Sequence, residues 1–128
     1  MRGRIDKERV NDTAKLIMHR LIARRLGRDP SLVEKAKHSL GRSSDHFGNY
    51  TFIHNWSEFL SLPVSEIRHR LTRRDEQMTR LRLSSPFMLA KGVDFEDEAL
   101  RRRIWRTAKR IVVRSTAGGQ NIPLAGRK

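Results

Sequence analysis

Apolar residues recur at helical spacing along almost the whole chain, and this constrains the fold more than any other feature. Val10, Ala14, Ile17 and Leu21 step by four, three and four. That spacing places them on one face of an α-helix. Val64, Ile67 and Leu71 repeat the rhythm, as do Leu100, Ile104, Ala108 and Ile111. Each stripe has to be covered by another element. Tyr50–Ile53 is the only short stretch that reads as a strand, and nothing is visible to pair with it. The expected fold is therefore all-α: a compact bundle of five to six short helices, a central loop and a disordered C-terminal tail.

Stop and start signals divide the bundle. The first helix spans about Lys7 to Leu26, and Gly27 is a stop. Asp29 is a fitting N-cap and Pro30 fits the first position of the next helix. That helix faces Leu32, Val33, Ala36 and Leu40 inward and ends at Gly41. Residues 41–54 read as a loop tacked down by Phe47, Tyr50, Phe52 and Ile53. Asn55 and Glu58 suit a cap for a short helix with Trp56, Phe59 and Leu60. Pro63 restarts the chain, and Thr72 with Asp75 caps a helix carrying Met78 and Leu81. Ser84-Ser85-Pro86 breaks it. Asp94 caps the last helix, with Glu96, Asp97 and Glu98 in its first turn and basic residues at its end, as the macrodipole favours. Residues 1–114 are expected to form one helical domain, and 115–128 a flexible basic tail. There is no internal repeat.

The 128 residues carry 28 Lys and Arg against 14 Asp and Glu, a formal charge of +14. Leu, Ile, Val and Phe make up a quarter of the chain, enough for a thin core. No cysteine is present, which excludes disulfides and thiolate chemistry. No apolar run approaches a membrane span and no leader pattern opens the chain, so a cytoplasmic protein with no membrane role is expected. The charge exceeds what solubility needs and points to an anionic partner. Three-quarters of the basic residues are Arg, whose planar fork suits phosphate and guanine edges.

Two basic features stand out. Ile22-Ala23-Arg24-Arg25-Leu26-Gly27-Arg28-Asp29-Pro30-Ser31-Leu32-Val33 resembles a helix-turn-helix. Ala allows close helix approach, Gly the tight turn, and Val33 packing of the second helix on the first. Arg28 stands where that pattern usually has an apolar residue. The resemblance implies a recognition helix over 30–40, bringing Ser31, Glu34, Lys35 and Lys37 to the major groove, with Arg24, Arg25 and Arg28 beside them. An ordinary helix–helix corner and an interaction hairpin fit the same residues. The second feature is the row Arg102, Arg106, Arg110, with Arg103 and Lys109 alongside, which can track phosphates or simply be solvated. Arg73, Arg74, Arg80 and Arg82 form a smaller cluster. Trp56, Trp105 and Tyr50 can stack on bases but sit at positions that suit core packing.

Catalysis finds little support. The five His form no His-x-x-x-His pair, no acidic cluster completes a metal site, and no cofactor motif is present. Arg42 with His46 is a faint ribonuclease-like pairing. More widely, Arg28–Ala36, Trp56-Ser57-Glu58-Phe59-Leu60 with Pro63, and Leu81-Arg82-Leu83-Ser84-Ser85-Pro86-Phe87 resemble small helical antitoxin-like regulators of bacterial toxin–antitoxin loci and mobile elements. That resemblance implies a regulator binding a partner protein and its own promoter. The expected function is non-enzymatic nucleic-acid binding, of DNA before RNA, with an oligomer allowed. The alternatives are a module neutralising an acidic protein or toxin, and a small RNA-cleaving toxin using His46 or His54.

Overall fold

The computed structural model describes residues 6–47, 51–89, 95 and 97–125, with side chains of these save 44–47, 89 and 116–125. The described residues are all-α, with six helices and one 3₁₀ turn: α1 (Lys7–Arg28), α2 (Leu32–Phe47), α3 (Thr51–Leu60), α4 (Val64–Leu71), α5 (Glu76–Arg82), the turn Pro86–Leu89, and α6 (Glu98–Ala125). α1 is the central strut, packing against α6, α4 and α5, while α2 packs chiefly on the 3₁₀ turn and α3. α1 and α6 run antiparallel. Arg9, near the start of α1, reaches Ser115 Oγ at 3.4 Å, whereas Met18 shares a cleft with Glu98 and Arg101 at the start of α6. Ala14 and Ala108 are buried mid-seam, where small side chains let the two backbones approach.

The caps follow local chemistry. The Asp6 carboxylate accepts the Glu8 and Arg9 N–H groups at 3.1 and 3.2 Å. Asp75 accepts the Met78 N–H at 2.7 Å. Asp97 accepts the Ala99 N–H at 3.0 Å; Asp94, the expected cap, lies outside the described residues. Asp29 accepts the Ser31 N–H and hydroxyl between α1 and α2.

Several boundaries depart from the sequence reading. Gly41 does not end α2, which runs six residues further. A Cβ there would meet nothing within 4 Å, so the glycine is a tolerated weak point in an exposed helix rather than a stop. α3 begins at Thr51, so Phe52 and Ile53 are held to the core by a helix and not by a loop or strand, and Asn55 is interior to it. The Phe47 side chain and the whole of Tyr50 lie outside the described residues. The α6 range extends to Ala125, but its last buried residue among those described is Val112, and beyond it Gly118, Gly119 and Pro123 are poor helix formers, in keeping with the tail read from the sequence. The α6 stripe is Ile104, Ala108 and Val112, in steps of four, while Ile111 is 42% exposed.

The core centres on Trp56, which is fully buried. Its ring meets Phe59 and Phe87 edge-on, with centroids 5.1 and 6.1 Å away. Its indole N–H donates to Leu81 O at 3.0 Å and Ser84 Oγ at 3.3 Å. Ser85 Oγ accepts the Phe87 N–H at 3.2 Å, and Phe87 is fully buried. The Ser-Ser-Pro-Phe segment is thus a structural latch. Ser84 receives the tryptophan, Ser85 caps the turn, and Phe87 fills the core.

Arg82 is also buried. It is no member of a surface basic cluster. Its Nη1 donates to Leu71 O at 3.0 Å and Arg73 O at 2.7 Å, and its Nη2 to Thr79 Oγ1 at 3.3 Å. Leu71 ends α4, so the guanidinium satisfies carbonyls that the helix terminus leaves open. Two other members of that cluster are paired, Arg73 lying 3.8 Å from Asp75 and Arg80 3.6 Å from Glu76, while Arg74 is exposed. Beside Arg82, His19 is buried, its Nδ1 donating to Lys15 O at 2.7 Å. His19 Nε2 and Arg82 Nε have no partner.

Candidate nucleic-acid interface

α6 presents the most one-sided surface. With Ile104, Ala108 and Val112 turned to the core, Arg102, Arg103, Arg106, Arg110 and Arg114 are exposed and Lys109 is half-exposed. No Asp or Glu occurs after Glu98. Among the described residues α6 has one ion pair, Arg102 to Glu98 at 3.3 Å. Arg106 Nε reaches only the Arg102 carbonyl at 3.5 Å, and Arg110 Nη2 only Thr107 Oγ1 at 3.4 Å. Residues four apart on a helix advance by about 6 Å, so Arg102, Arg106 and Arg110 form a regular row of cations. Arg106, Lys109, Arg110 and Arg114 gather around Val113 in a shallow cleft of about 560 Å³.

A second basic region lies where α1 crosses α4. Arg20 and Arg24 of α1 line a cleft of about 440 Å³ with Ser65, Arg68, His69 and Thr72. No carboxylate lines it. Arg68 is braced: its Nε donates to Ala23 O at 3.0 Å. Its guanidinium lies so close to Gly27 that a Cβ there would sit 3.0 Å from the guanidinium carbon. Gly27 lies against this cross-helix arginine without a left-handed cap, and α1 ends one residue later, at Arg28. Sequence reasoning missed Arg68 and His69, because their meeting with Arg20 and Arg24 is a property of the α1–α4 crossing. Only the four-residue step from Arg20 to Arg24 is visible in the chain.

The helix-turn-helix expectation meets a different geometry at α2. Arg24, Arg25, Arg28, Ser31, Glu34, Lys35 and Lys37 are all exposed, and Leu32 and Val33 are buried. Yet α2 packs mainly on the 3₁₀ turn and α3 rather than back across α1. The Ser31 hydroxyl is engaged by Asp29, and this hydrogen bond holds the Asp29 carboxyl below its usual range. That carboxylate sits at the helix start, where a phosphate would otherwise be welcomed. Lys37 pairs with Glu34 at 3.4 Å.

The two tryptophans differ. Trp56 is core, while Trp105 is 39% exposed. His54 faces Glu58 at 3.7 Å, both exposed; the His46 side chain lies outside the described residues. Among the described residues no three His, Asp or Glu side chains converge as a metal site. No described helix is long and apolar enough to cross a membrane. No family model, curated protein or solved structure matches the chain.

Proposed function

We propose that this is a non-enzymatic nucleic-acid-binding protein, acting on DNA as a regulator, with α6 as its phosphate-contacting element. The observation that carries the reading is the carboxylate-free run after Glu98, displayed as a row of exposed guanidinium groups on one helix face. Such a row repels itself and is relieved by a polyanion, whose condensed counterions are released on binding. The cleft of Arg20, Arg24 and Arg68 supplies a second cationic contact. The exposed α2 residues Ser31, Glu34, Lys35 and Lys37 are the candidates for base contact. An antitoxin-type regulator is the finer form of this reading; it adds a protein partner that stays bound through nuclease treatment.

The test is binding of the full chain to DNA upstream of its own coding sequence and to a scrambled duplex, near physiological salt. A gap of about 10³ or more in affinity marks a specific regulator. Equal, salt-sensitive binding leaves a general nucleic-acid protein. Absence of binding to either overturns the reading. Arg106→Ala is expected to weaken all sequences alike, whereas Lys35→Ala and Lys37→Ala erode the preference between them. Uniform loss from every variant would remove α2 from base recognition.

A further inference from the structure

The cleft between α1 and α6 has features that a row of phosphate contacts does not require. Its floor is apolar, built from Ala14 and Met18 of α1 and Trp105 of α6, and its volume is about 560 Å³. Its rim is cationic, from Arg101, Arg102 and Arg106. The one carboxylate at the rim, Glu98, is engaged by Arg102 at 3.3 Å. Trp105 keeps 39% of its surface open, although the chain buries its other tryptophan completely. An indole left open at a groove beside guanidinium groups suits a planar, π-faced ligand that carries negative charge at its edge.

We propose that this cleft holds an unpaired nucleobase stacked on Trp105, with Arg101 and Arg106 on the flanking phosphates. The inference rests on the nucleic-acid reading above and adds to its duplex contacts a site for one unpaired base. The neighbouring surface repeats the same alternation. About two turns further along α6, Val113 forms an apolar station among Arg106, Lys109, Arg110 and Arg114. A second apolar patch ringed by cations suits a strand whose phosphates run on along α6 past the stacked base. Inside a duplex the base faces are stacked on one another, so the indole takes its base from an unpaired stretch or a frayed end.

The test uses the full chain with three probes: a short oligothymidine, a hairpin duplex of equal charge and a glutamate-rich aromatic peptide. Tryptophan emission and anisotropy are the readouts. Oligothymidine is expected to quench the emission of Trp105, while buried Trp56 continues to emit. Trp105→Ala should bind it at least about fivefold more weakly, the lower end of what one stacked base contributes. Trp105→Phe should restore most of the affinity, and the wild-type quench stands as evidence even if the alanine variant folds poorly. Equal binding of both nucleic-acid probes, with no quench and no loss in Trp105→Ala, overturns the stacking site and leaves nucleic-acid binding intact. No binding of either nucleic-acid probe brings down the nucleic-acid reading and this inference together. Quenching by a glutamate-rich aromatic peptide but not by oligothymidine overturns it in favour of an acidic protein segment.

Discussion

His19 lies in the core with its Nδ1–H given to Lys15 O, and burial lowers its pKa from 6.5 to about 4. The backbone hydrogen bond opposes this shift, and the positive charge of Arg82 adds to it. The folded state thus holds the imidazole neutral after the unfolded chain has begun to protonate. Stability from this group is complete above pH 6.5 and is lost as pH falls towards 4. Lowering the pH from 7 to 5, above most carboxylate titration, should cost about 2 kcal/mol in urea unfolding. His19→Leu should flatten that dependence; an unchanged slope would mean another group is responsible. Gly27 carries a prediction of the opposite sign. Arg68 is exposed and braced only at Ala23, so its guanidinium can move aside for a methyl group. Gly27→Ala should raise the melting temperature through helix propensity, by up to about 1 kcal/mol. A fall in melting temperature would show that the Arg68 brace matters more than the propensity.

Short elements here depend on what their ends touch. α5 has seven residues, too few to be stable in isolation. The Asp75 carboxylate caps its first turn, and Arg82 in its last turn ties it to the carbonyl end of α4. Asp75→Ala should therefore cost about 1 kcal/mol, read as a lower urea midpoint with unchanged slope. α6 differs in kind. Its inner face is committed to α1, and its outer face makes few contacts among the described residues, so charge there is free to serve binding. Arg103→Ala and Arg110→Ala should leave the melting temperature nearly unchanged while weakening DNA binding. A large stability loss from either would place it in the fold rather than the interface.

The whole molecule is a +14 object whose carboxylates concentrate at helix starts and in short-range pairs. Its association with nucleic acid should therefore depend steeply on salt. Six phosphate contacts give a log–log slope of about −5. Each α6 arginine removed should lower the magnitude of that slope by about 1. A slope near zero would mean that association is driven by apolar contact, and would move attention from the α6 row to Trp105, Ile111 and Val113, its exposed apolar side chains.

The helices were legible in the chain because amphipathic spacing and caps are local. The stripe of Val10 and Ala14, the Asp29-Pro30 corner and the carboxylate-free basic run after Glu98 can all be read from neighbours a few residues apart; the Thr72-Asp75 box resolves differently, with Asp75 alone capping α5 and Thr72 closing α4. What could not be read is what depends on distant partners. Arg82 looks like a surface cation until α4 presents its carbonyl end. Gly27 looks like nothing more than a helix end until Arg68 arrives from forty-one residues away. Ser84, Ser85 and Phe87 gain a role only when Trp56 reaches them. Trp105 and Trp56 occupy similar positions on their helices, and only the packing of α1, α3 and α6 decides that one is core and the other open. Local pattern determines which face of a helix is apolar. Which apolar residue is covered, and which charge is neutralised, is decided by the element that happens to lie against it.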